Sequence, residues 1–242
     1  MDELFYISFS PQVNEIITMD DENFHHITRV MRKKVGDNLD LTNGMGNFYH
    51  CQITAVSKKS LSAKILTVLD VKHPLTRSIH LYCGVLKNRD RFEWLTEKAG
   101  ELGISSLTPI LTERTVKQSN NIERLQKIAV SALKQSKNAY LLKINPVTDI
   151  EKILSGLSDA KAKYFLHEKK LDESVTIFSV KENASSEIHL FIGPEGGFSE
   201  SEVTEFINRN VQPIWLGEQR FRTESAVLVA SSILNQEFIS HG

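Results

Sequence analysis

The chain has 242 residues, of which 40% are hydrophobic and 24% are charged, a balance that excludes disordered and fibrous proteins. Because 29 basic and 30 acidic side chains leave a formal net charge of −1, any contact with nucleic acid must depend on a local basic patch. The two cysteines, Cys51 and Cys83, lie far apart and in no CxxC pattern, which argues against a disulfide framework or a zinc site and fits a reducing cytoplasm.

The first residues of the chain are acidic where a secretory signal would be basic, and no apolar run reaches the ~20 residues that span a bilayer. The sequence therefore predicts a soluble, cytoplasmic protein. The first predicted element is a helix over residues 20–33, in which apolar residues recur at helical spacing. These apolar residues are Phe24, Ile27, Val30 and Met31.

Three segments rich in β-forming residues follow this helix. They span residues 39–42, 48–53 and 61–66. Asn43, Gly44 and Gly46 lie between the first two segments and predict a hairpin turn, because Asn and Gly tolerate positive φ. We interpret this part of the chain as a small β-barrel or sandwich.

A domain boundary is predicted in segment 70–77, where Pro74 among polar residues is typical of a linker. It separates a first domain, residues 1–72, from a second, residues 73–242. Strands and helices alternate in the second domain, which predicts an α/β fold with a mostly parallel sheet and helices on both faces. The strands are expected at residues 79–86, 106–111, 163–166, 187–192 and 213–216, and the main helices at 91–102 and 122–135.

The last predicted helix, residues 225–238, is apolar on most of its sides. A helix of this kind is buried either in its own domain or against a second subunit. We favour a homodimer.

The strongest local motif is the glycine loop, residues 193–197, which follows an apolar strand and leads into a helix that starts at Ser199. Ser199 and Glu202 have the spacing of a capping box. Glycines let the backbone approach a ligand closely, and ligands of α/β sheets bind at the carboxyl ends of the strands. The chain has neither the glycine pattern of a dinucleotide site nor the Gly-Lys-Ser/Thr of a P-loop. The alternative is a turn without a ligand.

A second motif, the arginine loop of residues 216–222, follows the next strand and leads to Thr223, the predicted N-cap of the last helix. Because parallel strands bring their carboxyl ends to one edge of a sheet, this loop and the glycine loop could share a pocket. Arg222 and Glu224 could instead be an ordinary surface ion pair, worth at most ~1 kcal/mol. The two loops together favour a small-molecule site.

Over nearly its whole length the chain resembles the RsmE family of SPOUT methyltransferases. The matching segments are residues 24–32, 35–37 and 87–109, the glycine loop, and residues 216–217 followed by 222–225. The resemblance implies a trefoil-knotted, parallel-sheet SPOUT domain preceded by a small PUA-like β-barrel that binds RNA. It also implies a tight homodimer, S-adenosyl-L-methionine as cofactor and no metal ion. The implied reaction is methylation of N3 of a specific uridine, of the position 1498 type, in 16S ribosomal RNA of the small subunit.

The resemblance also implies individual site residues. The implied cofactor-binding residues are Leu166, Ile192, Gly193, Pro194, Glu195, Gly196, Gly197, Leu216, Gly217, Gln219, Arg220 and Phe221. Arg222 and Glu224 match the Arg-Thr-Glu signature of the family and are expected to orient the uracil and to assist removal of its N3 proton. The candidate RNA contacts are Arg29, Arg32, Lys33, Lys87 and Arg91.

The chain departs from the family pattern at two places. Lys137-Asn138 stands where Gly-Arg is common, and Gln219 stands where an arginine is common. If those arginines hold RNA, Lys137 and Arg220 must take their place. The alternative functions are a SPOUT methyltransferase acting on another rRNA or tRNA nucleotide, and an RNA-binding module without activity. Adjacent His25 and His26 point in different directions on a helix and are not expected to form a shared catalytic site.

Overall fold

The computed structural model of the chain describes residues 3–20, 22–71, 78–116, 120–157, 162–183 and 186–235. The chain divides into two compact units. The first is Met1–Pro74 with Leu133–Leu141, and the second is Leu75–Ala132 with Leu142–Gly242. Residues 72–77 of the predicted linker lie outside the described residues, so the boundary after residue 72 stays a prediction. The inclusion of Leu133–Leu141 in the first unit was not anticipated.

The first unit contains a five-stranded sheet. Its strands are β1 (Leu4–Tyr6), β2 (Ile16–Met19), β3 (Asn38–Thr42), β4 (Asn47–Val56) and β5 (Leu61–Asp70), in the order β1-β3-β4-β5-β2. The predicted hairpin is confirmed, because β3 and β4 pair in antiparallel fashion on either side of a turn in which Gly44 and Gly46 have φ of 69° and 100°. The short strands β1 and β2 were missed.

The predicted helix over residues 20–33 is shorter and irregular. Its two parts are α1 (Glu22–His25) and a π-helical turn (His26–Val30). Phe24 and Ile27 are buried as predicted, but Val30 is 68% exposed, so its assignment to the apolar face is wrong. A π-helical turn holds more residues than the 3.6 of an α-helical turn, which shifts the following residues around the axis. Val30 is thereby carried away from the core.

The second unit is built on a sheet in which all described strand pairs are parallel, which confirms the expected α/β class. Its strands are β6 (Ser78–Gly84), β7 (Ser106–Leu111), β8 (Lys143–Ile144), β9 (Thr148–Asp149), β10 (Ala162–Leu166), β11 (Val175–Thr176), β12 (Glu187–Ile192) and β13 (Gln212–Trp215). Their order is β11-β13-β10-β12-β6-β7-β8, with β9 also paired to β7. β12 lies in the middle and is buried on both faces, which explains its nearly continuous apolar run.

The other described helices lie between these strands, except for the last one, which follows β13. They are α2 (Arg89–Glu101), α3 (Ile122–Ser136), α4 (Ile150–Gly156), α5 (Ile177–Asn183), α6 (Glu200–Asn208) and α7 (Thr223–Leu234). Helix α7 begins two residues before the predicted start, and the predicted end at Phe238 lies outside the described residues. Among the described helices, none has the length and apolar character needed to cross a bilayer.

An aromatic cluster fixes the start of α6 against the sheet. The rings of Phe165 and Phe206 are stacked with centroids 4.6 Å apart, and Phe198 meets Phe206 edge-on at 4.8 Å. Burial of each large apolar side chain contributes roughly 1.5–3 kcal/mol. Because Phe198 directly follows the glycine loop, this cluster anchors one end of that loop.

Candidate active site

A cavity of about 840 Å³ lies at the carboxyl edge of the parallel sheet, where β10, β12 and β13 end. Its volume is in the range of small-molecule sites. Both predicted loops line it. Every expected cofactor-binding residue except Gly196 is part of the lining, namely Leu166, Ile192, Gly193, Pro194, Glu195, Gly197, Leu216, Gly217, Gln219, Arg220 and Phe221. Among the described residues, no group of three or more His, Cys, Asp or Glu side chains could hold a metal ion.

The glycine loop is held in a tight turn by its own backbone and by one carboxylate. The amide of Gly197, which has φ of +68°, donates to the carbonyl oxygen of Pro194 at 2.9 Å. Both carboxylate oxygens of Glu195 accept from the backbone amide of Lys87, at 3.1 and 3.4 Å. The Glu195 side chain therefore ties the loop to the segment that follows β6.

The end of β6 passes unusually close to the glycine loop. A Cβ atom placed on Gly84 would lie 2.4 Å from both the nitrogen and the Cδ atom of Pro194. Only glycine leaves room for the loop at this position. Sequence reasoning missed Gly84, although a glycine inside a predicted apolar strand is a known sign of close backbone approach.

The predicted capping box at the start of α6 is confirmed. The Ser199 hydroxyl accepts from the amide of Glu202 at 3.1 Å, and the Glu202 carboxylate accepts from the amide of Ser199 at 2.8 Å. Glu202 also accepts from the amide of Glu113 at 2.9 Å. A hydrogen bond from Ser201, which has the largest effect, and one from Ser199 lower the pKa of the Glu113 carboxyl below its ordinary value. The segment after β7 is thus fastened to the helix that follows the glycine loop.

Arg114 is a lining residue that sequence reasoning missed. Its Nη1 atom donates to the carbonyl oxygen of Gly196 at 2.7 Å, and its side chain covers the α-carbon of that glycine. The only signal in the sequence is its place just after β7, at the same edge of the sheet. Arg114 thus braces the glycine loop.

Arg114→Met is expected to weaken binding of the cofactor about threefold while leaving the fold intact. Methionine keeps the length of the side chain but removes the charged donor to Gly196, and water can replace much of that bond because the site is exposed. Isothermal titration calorimetry with S-adenosylmethionine measures the affinity. Unchanged affinity would contradict the bracing role.

Thr223 has a different role from the one predicted. It is the first residue of α7 and not its N-cap, a position taken by Arg222 without a side-chain bond. Its buried hydroxyl donates instead to the carbonyl oxygen of Gly193 at 3.0 Å. The predicted N-cap role was wrong because local capping rules consider only nearby backbone groups, whereas this carbonyl lies thirty residues earlier in the chain. Thr223 therefore joins the two loops.

Thr223→Val should lower the free energy of unfolding by about 1 kcal/mol and weaken cofactor binding severalfold, because the buried carbonyl of Gly193 loses its donor. Thr96→Val is the matched control. Thr96 is buried and donates to the carbonyl of Phe92 within its own helix. It does not line the cavity, so its variant should lose stability and keep the affinity. Equal effects of both variants on affinity would count against the link between the loops.

The expected catalytic pair lies at the start of α7, but its members differ in position. Arg222 is exposed and lines the cavity. Glu224 is buried and is not part of the lining. Its Oε1 atom lies 3.7 Å from Nε of Arg91, and Arg91 does line the cavity. The structure therefore brings Arg91, predicted as an RNA contact, beside the expected catalytic residues.

The other predicted RNA contacts stay predictions. Arg29 and Arg32 are exposed in the first unit, while Lys33 is half-buried and donates from Nζ to the carbonyl of Asn38 at 2.7 Å. In the second unit Lys87 is exposed but does not line the cavity. One hydrogen-bond donor of Lys33 is therefore already used within the protein and is not free to contact RNA.

Comparisons with known proteins show which family models and relatives the chain matches. Residues 73–235 match the family model of the RNA methyltransferase domain, and residues 19–66 match that of the RNA methyltransferase PUA domain. Ribosomal RNA small subunit methyltransferase E of Rickettsia conorii is 30% identical over 87% of this chain and 85% of its own length.

Solved structures agree with this match. A Legionella pneumophila protein in complex with the bound cofactor S-adenosylmethionine is 26% identical, with a TM-score of 0.84 over 96% of both chains. Ribosomal RNA small subunit methyltransferase E of Neisseria gonorrhoeae, also bound to S-adenosylmethionine, is 24% identical with a TM-score of 0.87 over 97% of both chains, and shares the fold. The expected PUA-like sheet and methyltransferase domain are thereby confirmed, whereas the knot stays a prediction. This chain belongs to the ribosomal RNA small subunit methyltransferase E (RsmE) family of RNA methyltransferases.

Proposed function

We propose that this protein transfers a methyl group from S-adenosylmethionine to N3 of a specific uridine, of the position 1498 type, in 16S ribosomal RNA. The observation that carries the proposal is the cavity at the carboxyl edge of the sheet, lined by both loops, in a chain of the RsmE family. A base with its reactive atom on the Watson–Crick edge must be unpaired or flipped before it reacts, which costs a few kcal/mol. We therefore expect an accessible uridine as substrate.

The residues present fit S-adenosylmethionine as cofactor. Apolar side chains of Leu166, Ile192, Leu216 and Phe221 line the cavity beside the glycine loop, whose backbone approaches closely enough that a Cβ on Gly193 would collide with the loop itself. Such a site binds through shape and backbone groups. When bound, the cofactor supplies an electrophilic methyl group, and no metal ion is needed.

The side chains at the start of α7 would act on the uracil. Uracil N3 carries a weakly acidic proton, so methyl transfer is faster where the anion left at N3 is stabilised. The guanidinium of Arg222, exposed at the cavity, would orient the ring and stabilise this charge electrostatically. Glu224 is buried and does not line the cavity, so it would assist removal of the proton indirectly, through its neighbour Arg91.

RNA would be held by local basic residues, since the net charge of −1 gives no general attraction to phosphate. Arg29, Arg32 and Lys33 in the first unit, with Lys87 and Arg91 in the second, remain the proposed contacts. Each phosphate contact should add to the salt dependence of binding.

A homodimer, a trefoil knot and a cytoplasmic location complete the proposal. The dimer is supported by the half-buried apolar residues Leu228, Val229 and Ile233 on α7, which a second copy would cover. Light scattering after size exclusion measures this directly, and a monomer at micromolar concentration would contradict it.

Calorimetry followed by methyl transfer tests the proposed function. The purified protein should bind S-adenosylmethionine and then transfer the labelled methyl group to small-subunit RNA from cells that lack the protein. Failure to bind the cofactor would leave an RNA-binding module as the function. Transfer to another rRNA or to tRNA would mean a different SPOUT target.

A further inference from the structure

Glu224 and Arg91 form a pair whose positions are set by the starts of two helices. Arg91 lies in the first turn of α2, where Oδ1 of Asn88 accepts from the amides of Asp90 and Arg91 at 2.8 and 3.3 Å. Glu224 is the second residue of α7 and follows Thr223, whose hydroxyl is bonded to the glycine loop. A carboxylate near the start of a helix is favoured by the helix dipole. Hydrogen bonds thus fix the chain next to both residues.

The two side chains differ in how they meet the cavity. The Glu224 side chain is 11% exposed and does not line the cavity, whereas the Arg91 side chain is 36% exposed and does. In the described part of the chain Oε2 of Glu224 has no hydrogen-bond partner, and its one ion pair is with Arg91, at 3.7 Å. A buried carboxylate is costly unless it is paired. Glu224 is thus a buried charge that acts on Arg91.

Two carboxylates lie close to this part of the site, since Glu195 lines the cavity and Glu224 is buried beside Arg91. Burial, and then the charges of Glu195 and Glu224, raise the pKa of the Cys83 thiol far above its ordinary value. A uracil anion in the cavity would be disfavoured by these negative charges, of which only that of Glu195 lies in the lining. Arg91 lines the cavity and pairs with Glu224, so its guanidinium offsets negative charge at this site. A guanidinium already held in place needs no reorganisation when the anion forms.

We propose that Arg91 is a second guanidinium that stabilises the anion at uracil N3, and that Glu224 is a positioning residue that holds Arg91 and is not the proton acceptor. This inference rests on the proposed function. In the reaction the N3–H bond breaks and its proton passes to water. The N3 lone pair forms the bond to the methyl carbon, and the electron pair of the breaking carbon–sulfur bond returns to sulfur.

A double-mutant cycle over pH tests this assignment. Arg91→Ala, Glu224→Gln and the double variant are compared in single-turnover methylation of small-subunit RNA at saturating S-adenosylmethionine, from pH 6 to 10. Arg91→Ala should lower the rate at pH 7 on the order of 100-fold. The loss should shrink as pH rises, because uracil then ionises without help. Glu224→Gln should lower the rate of wild type but not that of Arg91→Ala, since residues that act as one unit are not additive.

Two results would overturn the assignment. If Glu224→Gln costs the same factor in both backgrounds, Glu224 acts independently, as a proton acceptor would. If the loss in Arg91→Ala is the same at every pH, Arg91 has only a structural role. Arg91→Lys keeps the positive charge but not the planar guanidinium, so it should recover part of the rate. This variant also provides a test if Arg91→Ala does not fold.

Matched controls separate this inference from the proposed function. Arg124 pairs with Glu93 of α2 at 3.1 Å but does not line the cavity, so Arg124→Ala removes a comparable ion pair and should leave rate and pH profile unchanged. Cofactor affinity and melting temperature are measured for each variant. The position of the methyl group in the wild-type product tests the proposed function independently of the variants.

Discussion

Gly84→Ala should lower the affinity for S-adenosylmethionine by about 100-fold, or about 2.7 kcal/mol. The added Cβ would lie 2.4 Å from the nitrogen and Cδ of Pro194 and 2.9 Å from the carbonyl carbon of Gly193, so the glycine loop itself must move. Overpacking of this kind costs about 1–3 kcal/mol in well-packed sites. Because the loop lines the cavity, we expect the substitution to weaken cofactor binding and not only to destabilise the fold. Calorimetry measures the affinity.

Gly156→Ala is the control for this variant. Gly156 is the last residue of α4, and no atom lies within 4 Å of an added Cβ atom. Alanine is a better helix former than glycine, so this variant should keep the cofactor affinity and lose no stability. Full affinity in Gly84→Ala would mean that the close approach of β6 to the glycine loop does not shape the site.

Arg222→Ala should reduce methyl transfer by about 10²–10³-fold while changing cofactor affinity less than about threefold. The side chain is exposed at the cavity and makes no ion pair with the described residues, so its removal leaves the packing of α7 unchanged. The guanidinium is needed only when charge develops on the base. Single-turnover rates and calorimetry separate the two quantities.

Arg124→Ala serves again as the control, since it removes an arginine that lies away from the cavity. It should transfer methyl groups at the rate of wild type. An equal loss of rate and cofactor affinity in Arg222→Ala would refute the role given to Arg222, because it would place the side chain in cofactor binding.

The site was predictable from the sequence where a general rule of sheets applies. Parallel strands end at one edge, so the glycine loop and the arginine loop were expected to share a pocket, and both line the cavity. Strand β7 has the predicted bounds, and the capping box of Ser199 and Glu202 is present as expected. These features depend on local patterns or on the parallel sheet alone.

Features that depend on distant partners were missed. The hydroxyl of Thr223 bonds to a carbonyl thirty residues earlier, and Gly84 meets a loop of the neighbouring strand β12. Arg91 meets Glu224 only because α2 and α7 pack together. No rule based on spacing in the sequence predicts these contacts. The prediction for Val30 was wrong for a different reason, because the spacing of apolar residues gives no sign of a π-helical turn.

Mass mapping of methyl groups on small-subunit ribosomal RNA, from cells with and without this protein, tests whether it methylates N3 of a uridine. We expect one uridine that carries a methyl group at N3 in the presence of the protein and no such methyl group in its absence. The purified protein should restore that methyl group in vitro. An N3 methyl group that is the same in both cells would contradict the claim.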